Sequence, residues 1–217
     1  NKGGWERGGP YGGGRYFSPY GNPRLSDGPE GEHLPARLAS ETVDFIAASK
    51  DKPFLAYLSF YSVHTPLMGR EDMVQKYEQK TTNIDFPGER FIPINNNQWR
   101  QVQDHAVYAA MVEAMDEAVG NVLSALDSLG IANHTIVFFM SDNGGLSTSE
   151  GHPTTNLPLK AGKGWLYEGG IREPMMIRWP GIAQPNSTCD FPVTSTDFYP
   201  TILDMAGILF MPEQHID

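Results

Sequence analysis

The run Thr135-Ile136-Val137-Phe138-Phe139-Met140, closed by Ser141-Asp142-Asn143-Gly144-Gly145, restricts the fold of this chain more than any other feature. A short continuous stretch of β-branched and aromatic residues predicts a buried strand of a parallel sheet. In open α/β sheets, ligands collect at the carboxyl ends of strands, where Asp142 and Asn143 fall. Both side chains offer oxygen ligands of the kind that calcium or magnesium prefers. Asp-Asn-Gly is also good turn chemistry, so the pattern by itself fits a strand-end turn as well as a cation site. About twenty residues later comes Gly162-Lys163-Gly164-Trp165-Leu166-Tyr167-Glu168-Gly169-Gly170-Ile171-Arg172-Glu173-Pro174. Its glycines let backbone approach a ligand closely, and the Lys163 ammonium is a compact charge suited to a tetrahedral oxyanion. Glu168 and Arg172 predict a buried or partly buried ion pair that fixes this loop, with Trp165 and Tyr167 packed beneath it.

Strand and helix signals alternate along most of the chain. Leu38, Val43, Phe45, Ile46 and Ala47 predict an amphipathic helix from about residue 34 to 49. Residues 53–61 read as a buried strand that delivers His64 to its carboxyl end, and a shorter helix follows over 71–79. With two prolines and four asparagines, 81–97 reads as an irregular excursion. The clearest helical period covers 98–129. There Tyr108, Met111, Val112, Met115, Val119, Val122, Leu126 and Leu129 recur at three- and four-residue intervals, before a left-handed stop at Gly130. Residues 174–179 form another short strand, and Asp197 caps a helix that Gly207 ends. The alternation predicts an α/β fold, a mostly parallel or mixed sheet sandwiched by helices. Residues 1–35 differ: they hold ten of the 23 glycines and five of the 17 prolines, without hydrophobic period. They read as an irregular, surface-draped segment.

A chain of 217 residues is long enough for one large α/β domain or slightly less than one. Its net charge of −10, with acids and bases interspersed, argues against nucleic acid or an anionic membrane as partner. No apolar run approaches the roughly 18–20 residues that cross a bilayer. A single cysteine, Cys189, excludes an internal disulfide. Asn133-His134-Thr135 and Asn186-Ser187-Thr188 are formal glycosylation sequons.

The Ser-Asp-Asn-Gly-Gly and Gly-Lys-Gly-Trp-Leu-Tyr-Glu-Gly-Gly-Ile-Arg-Glu-Pro stretches closely resemble the type I sulfatases, formylglycine-dependent enzymes of the alkaline-phosphatase-like superfamily. Two further segments match in the same order. Lys52-Pro53-Phe54-Leu55-Ala56-Tyr57-Leu58-Ser59-Phe60-Tyr61-Ser62-Val63-His64-Thr65-Pro66 resembles the family strand that ends in a substrate-facing histidine. Thr196-Asp197-Phe198-Tyr199-Pro200-Thr201-Ile202-Leu203 resembles the segment that opens a later helix. The resemblance runs from about residue 36 to the end, which implies a partial sulfatase catalytic domain over 36–217.

That resemblance implies hydrolysis of a sulfate monoester, with a sulfated small molecule or sulfated carbohydrate as substrate. Asp142 and Asn143 are the implied ligands of Ca2+, with Mg2+ as the alternative, and His64 and Lys163 are the implied catalytic pair. Lys163 would hold a sulfate oxygen, and His64 would stand near the ester oxygen and help to protonate the leaving group. The family nucleophile, a formylglycine made within Cys-x-Pro-x-Arg or Ser-x-Pro-x-Arg, has no counterpart in this sequence. Cys189 is followed by Asp190-Phe191-Pro192, and Ser18-Pro19-Tyr20 fails likewise. The expectation is therefore the middle of a sulfatase, with the nucleophile and further metal ligands in N- and C-terminal portions outside it, and no useful turnover by these residues alone. Family habit implies a periplasmic, extracellular or lysosomal location. A phosphatase or phosphodiesterase of the same superfamily, and a noncatalytic sulfated-glycan-binding domain or pseudoenzyme, remain alternatives.

Overall fold

Pro35, in the first turn of helix α1 (Leu34–Ser49), fits a position where no amide hydrogen bond is lost. The computed structural model describes residues 15–22 and 24–214, and these fall into two compact units, Asn1–Pro180 and Gly181–Asp217. In the first unit α1 is followed by α2 (Glu71–Thr81), a hairpin of β1 (Phe91–Ile94) and β2 (Asn97–Arg100), and the long helix α3 (Ala106–Ser128). Strand β3 (Val137–Met140), the single turn α4 (Glu168–Ile171) and strand β4 (Met175–Arg178) complete it. The second unit holds α5 (Phe198–Met205), preceded by a capping box in which the Asp197 carboxylate accepts the Thr194 N–H at 2.6 Å.

Helix α3 is the spine of the first unit, with α1 and α2 both packed against it. Its buried side carries Ala110, Met111, Ala114, Ala118 and Leu126, whereas Val112 is 40% exposed. The expected stripe of large residues is therefore partly displaced by alanines, whose small side chains bring Met73 of α2 into contact with Ala110 and Ala114. The helix starts at Ala106, not near Gln98, because 97–100 are drawn into the hairpin. The His105 ring caps it by accepting the Tyr108 N–H at 3.3 Å.

That hairpin also corrects the irregular reading of 81–97. Ile94 pairs with Asn97, leaving Asn95-Asn96 as a two-residue turn with Asn95 at φ +49. Asparagine tolerates the left-handed backbone that such turns need. Pro93, an apparent strand breaker, sits exposed in β1, the kind of edge position where a missing amide is tolerated.

Tyr16 and Tyr20 are almost wholly buried, in one cluster with Leu25, Leu34, Leu38, Tyr61 and Met111. The described part of the Gly/Pro-rich segment thus belongs to the core and is not draped over it; residues 1–14 lie outside the described residues. Irregular backbone can be buried when its polar groups are paired. Here Ser18 N–H donates to Glu32 O at 2.9 Å and Leu34 N–H to Tyr16 O at 2.7 Å.

Strands β3 and β4 pair antiparallel, with Met140 opposite Met175. Every ladder among the described residues is antiparallel, and the predicted strand over 53–61 joins none of them. Leu55 and Tyr57 in that stretch are 69% and 92% exposed. An apolar run becomes a strand only where a neighbouring strand supplies a ladder, and 53–61 joins no ladder among the described residues. Phe54 still packs against the cluster of Ile46, Leu126 and Ala132, and Leu58 against the tyrosine cluster, so the segment is anchored at alternating points.

His33 gives this core a pH dependence. It occupies the N-cap position of α1 without a side-chain capping bond, is 5% exposed and stacks on Phe17 at 4.8 Å. Burial pushes its pKa down to about 4. The unfolded chain takes up this proton first, so the stability contribution is complete above the unfolded value of about 6.5 and is lost as pH falls towards 4. The loss is on the order of 3 kcal/mol. Urea midpoints measured from pH 7.5 to 4.5 should fall steeply for the wild type and less steeply for His33→Gln.

Candidate functional site

Two backbone segments distant in sequence touch to make the site, and glycine is what lets them. A Cβ on Gly144 would lie 1.8 Å from Gly169 O, and one on Gly162 would lie 2.2 Å from Gly145 O. Through this contact Gly144 N–H donates to Gly170 O at 3.2 Å and Lys163 N–H to Gly145 O at 3.1 Å. The Asn156 amide fills the centre. Its Oδ1 accepts Gly145 N–H at 3.1 Å, while Nδ2 donates to Gly145 O at 3.0 Å and to Ala161 O at 2.9 Å. Asn156 was not among the residues expected from the sequence, because its role depends on where the loop returns.

His64 is held from beneath. The Tyr16 hydroxyl lies 2.7 Å from Tyr61 O and 2.9 Å from His64 O, sharing its proton between the two carbonyls. Burial raises the Tyr16 pKa far above its usual value, so the phenol stays a donor. His64 Nδ1 lies 2.9 Å from Thr65 O, and His64 Nε2 lies 2.9 Å from Lys163 Nζ. A carbonyl can only accept and an ammonium can only donate. Both contacts assign the same neutral tautomer, with the proton on Nδ1 and the lone pair of Nε2 facing Lys163.

The structure therefore brings together His64 and Lys163, which stand 99 residues apart in the chain. Asp142 and Asn143 occupy the turn that leads into the stitched contact. Ser141 Oγ donates to Asn143 O at 2.8 Å, and Asn143 Nδ2 donates to Gly144 O at 3.1 Å, which leaves the amide oxygen facing away from its own backbone partner. Asp142 is exposed, and its charge adds to burial in raising the pKa of Glu173. The negative field and hard oxygens of this turn suit a cation such as calcium. Two side chains are nevertheless only part of a shell of about six to eight oxygens. Among the described residues no group of three or more His, Cys, Asp or Glu could hold a metal.

Two expectations about the lysine loop are corrected. Arg172 Nη1 and Glu168 Oε1 do pair, at 3.3 Å, but the side chains are 65% and 64% exposed. Such a pair is screened by solvent and does little to fix the loop; the glycine contacts and Asn156 do that. Trp165 and Tyr167 stack on one another with ring centroids 6.0 Å apart, and Tyr167 is 42% exposed. Hydrogen bonding of the Trp165 indole to Thr148 Oγ1 at 2.8 Å turns the ring towards the polar loop. With Gly164 and Leu166 the two rings line an open depression of about 370 Å³ beside Lys163.

Two more residues that sequence reasoning passed over complete the surroundings. Arg100, 9% exposed at the end of β2, donates its backbone N–H to Ser147 O at 2.9 Å and its guanidinium to His152 O at 2.8 Å. Asp104 is its carboxylate partner. Between those two anchored carbonyls lies Glu150, whose Oε2 accepts the Thr65 hydroxyl at 2.8 Å and whose Oε1 is 3.7 Å from Lys163 Nζ.

The sulfatase family model matches residues 3–208. A sulfatase of Formosa agariphila is 38% identical over 197 residues, covering 86% of this chain and 32% of the relative. The steryl-sulfatase of Rattus norvegicus is 35% identical over 189 residues, covering 85% of this chain and 28% of the relative. The chain thus spans about a third of the length of the curated relatives it matches. Among solved structures, Ps i-CgsB in complex with k-i-k-neocarrahexaose superposes with a TM-score of 0.70 at 32% identity, over 88% of this chain and 38% of that one. The match from residue 3 extends the likeness through the segment that carries Tyr16 and Tyr20.

Replacing Asn156 by Ala should leave Gly145 N–H and Ala161 O without their partner. A loss of about 2–3 kcal/mol is expected in urea unfolding. Asn156→Asp keeps the acceptor for Gly145 N–H but turns a second oxygen against the Gly145 and Ala161 carbonyls, so it should lose at least as much as the Ala variant.

Proposed function

The chain belongs to the sulfatase family, and we propose that it carries the substrate-facing part of a site that hydrolyses sulfate monoesters. The observation that carries this reading is the contact of Lys163 Nζ with His64 Nε2 at 2.9 Å, on a loop whose Lys163 N–H bonds to Gly145 O, two residues beyond the Asp142-Asn143 turn. A cation in contact with a neutral imidazole would suit an anionic ester and its leaving oxygen together, and that supports the reading. The fold class agrees, as an α/β chain of the alkaline-phosphatase-like kind.

In this reading Lys163 binds a sulfate oxygen and opposes the charge that grows on the sulfuryl group, the electrostatic contribution that often dominates such catalysis. An ammonium 2.9 Å from Nε2 disfavours a proton there. A sulfate oxygen that draws the ammonium away removes that obstacle. Nε2 can then take up a proton from solvent and pass it to the leaving oxygen, while Thr65 O keeps the Nδ1 proton in place. Tyr16 keeps the histidine turn in position throughout. Asp142 and Asn143 would hold a calcium or magnesium ion by their side-chain oxygens, and that ion supplies further positive charge to the sulfate when bound. The remaining ligands and the formylglycine nucleophile belong to portions of the protein outside these residues, so these residues alone are expected to be inactive.

The substrate class is a sulfated small molecule or carbohydrate. The net charge of −10, without a basic block, argues against nucleic acid as a partner. No helix among the described residues is long and apolar enough to cross a membrane. A periplasmic, extracellular or lysosomal place fits this chemistry by family habit.

In the full chain that carries these residues, sulfate release from an aryl or sugar sulfate should be lost with a chelator and restored by calcium. Lys163→Ala should lower kcat/KM by roughly 100- to 1000-fold, and His64→Ala by a comparable factor with the larger effect on esters with poor leaving groups. Faster turnover of phosphate esters than of sulfate esters would favour the phosphatase alternative. Binding of sulfated glycans without turnover would favour a noncatalytic protein.

A further inference from the structure

Glu150 has no part in the chemistry above, yet it is held against it. The residue adopts φ +52, followed by Gly151 at +89 and His152 at +51, a run of left-handed backbone that side chains other than glycine resist. Such strain persists only where the surroundings over-determine it, and clusters at functional sites. Here the framing is visible: Arg100 grips Ser147 O on one side of Glu150 and His152 O on the other. The result is a carboxylate beside the lysine that has to accept an anion.

That placement is costly for a sulfate site unless the carboxylate meets something on the substrate. Like charges brought together in a cleft repel, and Glu150 also neutralises part of the Lys163 charge. Its two oxygens are in different situations. Oε2 takes the Thr65 hydroxyl at 2.8 Å, whereas Oε1 stands 3.7 Å from Lys163 Nζ, beyond hydrogen-bond length. The side chain is 37% exposed, so Oε1 can accept a further donor from the cleft. An ionised carboxylate only accepts, so the complementary group is an O–H or N–H close to the sulfate.

We propose that Glu150 is a specificity-determining residue that accepts a hydrogen bond from a hydroxyl next to the sulfate ester. The site then selects sulfated polyols, sugars foremost, over aryl sulfates that lack such a neighbour. The hydroxyl offsets the repulsion between Glu150 and the sulfate, and an isolated aryl sulfate has nothing to offset it. This inference rests on the sulfatase reading above and specifies the substrate of the same site.

The test uses the full chain and a matched pair of esters: a monosaccharide sulfate with a free hydroxyl on the adjacent carbon, and the same sulfate with that hydroxyl replaced by hydrogen. Wild-type kcat/KM should favour the hydroxylated ester by roughly 10- to 100-fold, the range of a hydrogen bond to a charged acceptor. Glu150→Ala should bring the ratio close to one, and Glu150→Gln, which keeps the shape, should reduce it severalfold. Turnover of the deoxy ester should hold or rise in both variants, and so reports that they are folded. An unchanged ratio, or an equal fall on both esters, overturns the proposal while leaving the sulfatase reading intact. If the wild type releases sulfate from neither ester nor from 4-nitrophenyl sulfate, the sulfatase reading fails and this inference falls with it.

Discussion

The close approach of two glycine-rich backbones, held by the Asn156 amide, is the constraint on which the site depends. Gly144 and Gly145 reach Gly162, Gly169 and Gly170 at distances where a single methyl group would collide with a carbonyl. One side chain then satisfies both the N–H and the carbonyl of Gly145. Because Lys163 N–H donates to that same carbonyl, the backbone that carries the cation is fixed, and its Nζ is held at the other end by His64 Nε2 at 2.9 Å. A lysine held in this way loses less freedom when it meets an anion.

The histidine is positioned from the opposite direction, by a buried phenol in the segment that looked least structured. Tyr16 reaches both carbonyls flanking the His64 turn, and its burial keeps it a donor. Helix α3 supports this indirectly, since Met111 packs in the same cluster as Tyr16 and Tyr61. Core and site are thus continuous: the side chains that stabilise the first unit also set where the imidazole points.

How much of this was legible in the sequence varied with the kind of signal. Helices α1, α2 and α5 and strands β3 and β4 follow from local periodicity and punctuation, and they form close to where those signals lie. The hairpin of β1 and β2 was hidden, because its Asn95-Asn96 turn sits inside a polar run and Pro93 reads as a breaker. The strand over 53–61 had a strong apolar signal but lacks a ladder among the described residues, since pairing belongs to two segments and not to one. Tyr16 and Tyr20 gave no period at all. Their burial comes from pairing of irregular backbone, which no pattern of hydrophobicity encodes.

Sequence by itself determined the chemical inventory: a lysine between glycines, an acid and an amide at a strand end, a histidine before Thr-Pro, and an acidic surface without a basic block. It also pointed to the family, because those motifs occur in a recognisable order. Only the tertiary structure decided that His64 and Lys163 touch, which tautomer the imidazole adopts, that the Glu168–Arg172 pair is solvated, and that Glu150 faces the cation. The physical reason is that local propensity acts over a few residues, whereas each of these facts is a distance between segments about a dozen to a hundred residues apart or a degree of burial. Such distances are set by close packing of the whole unit.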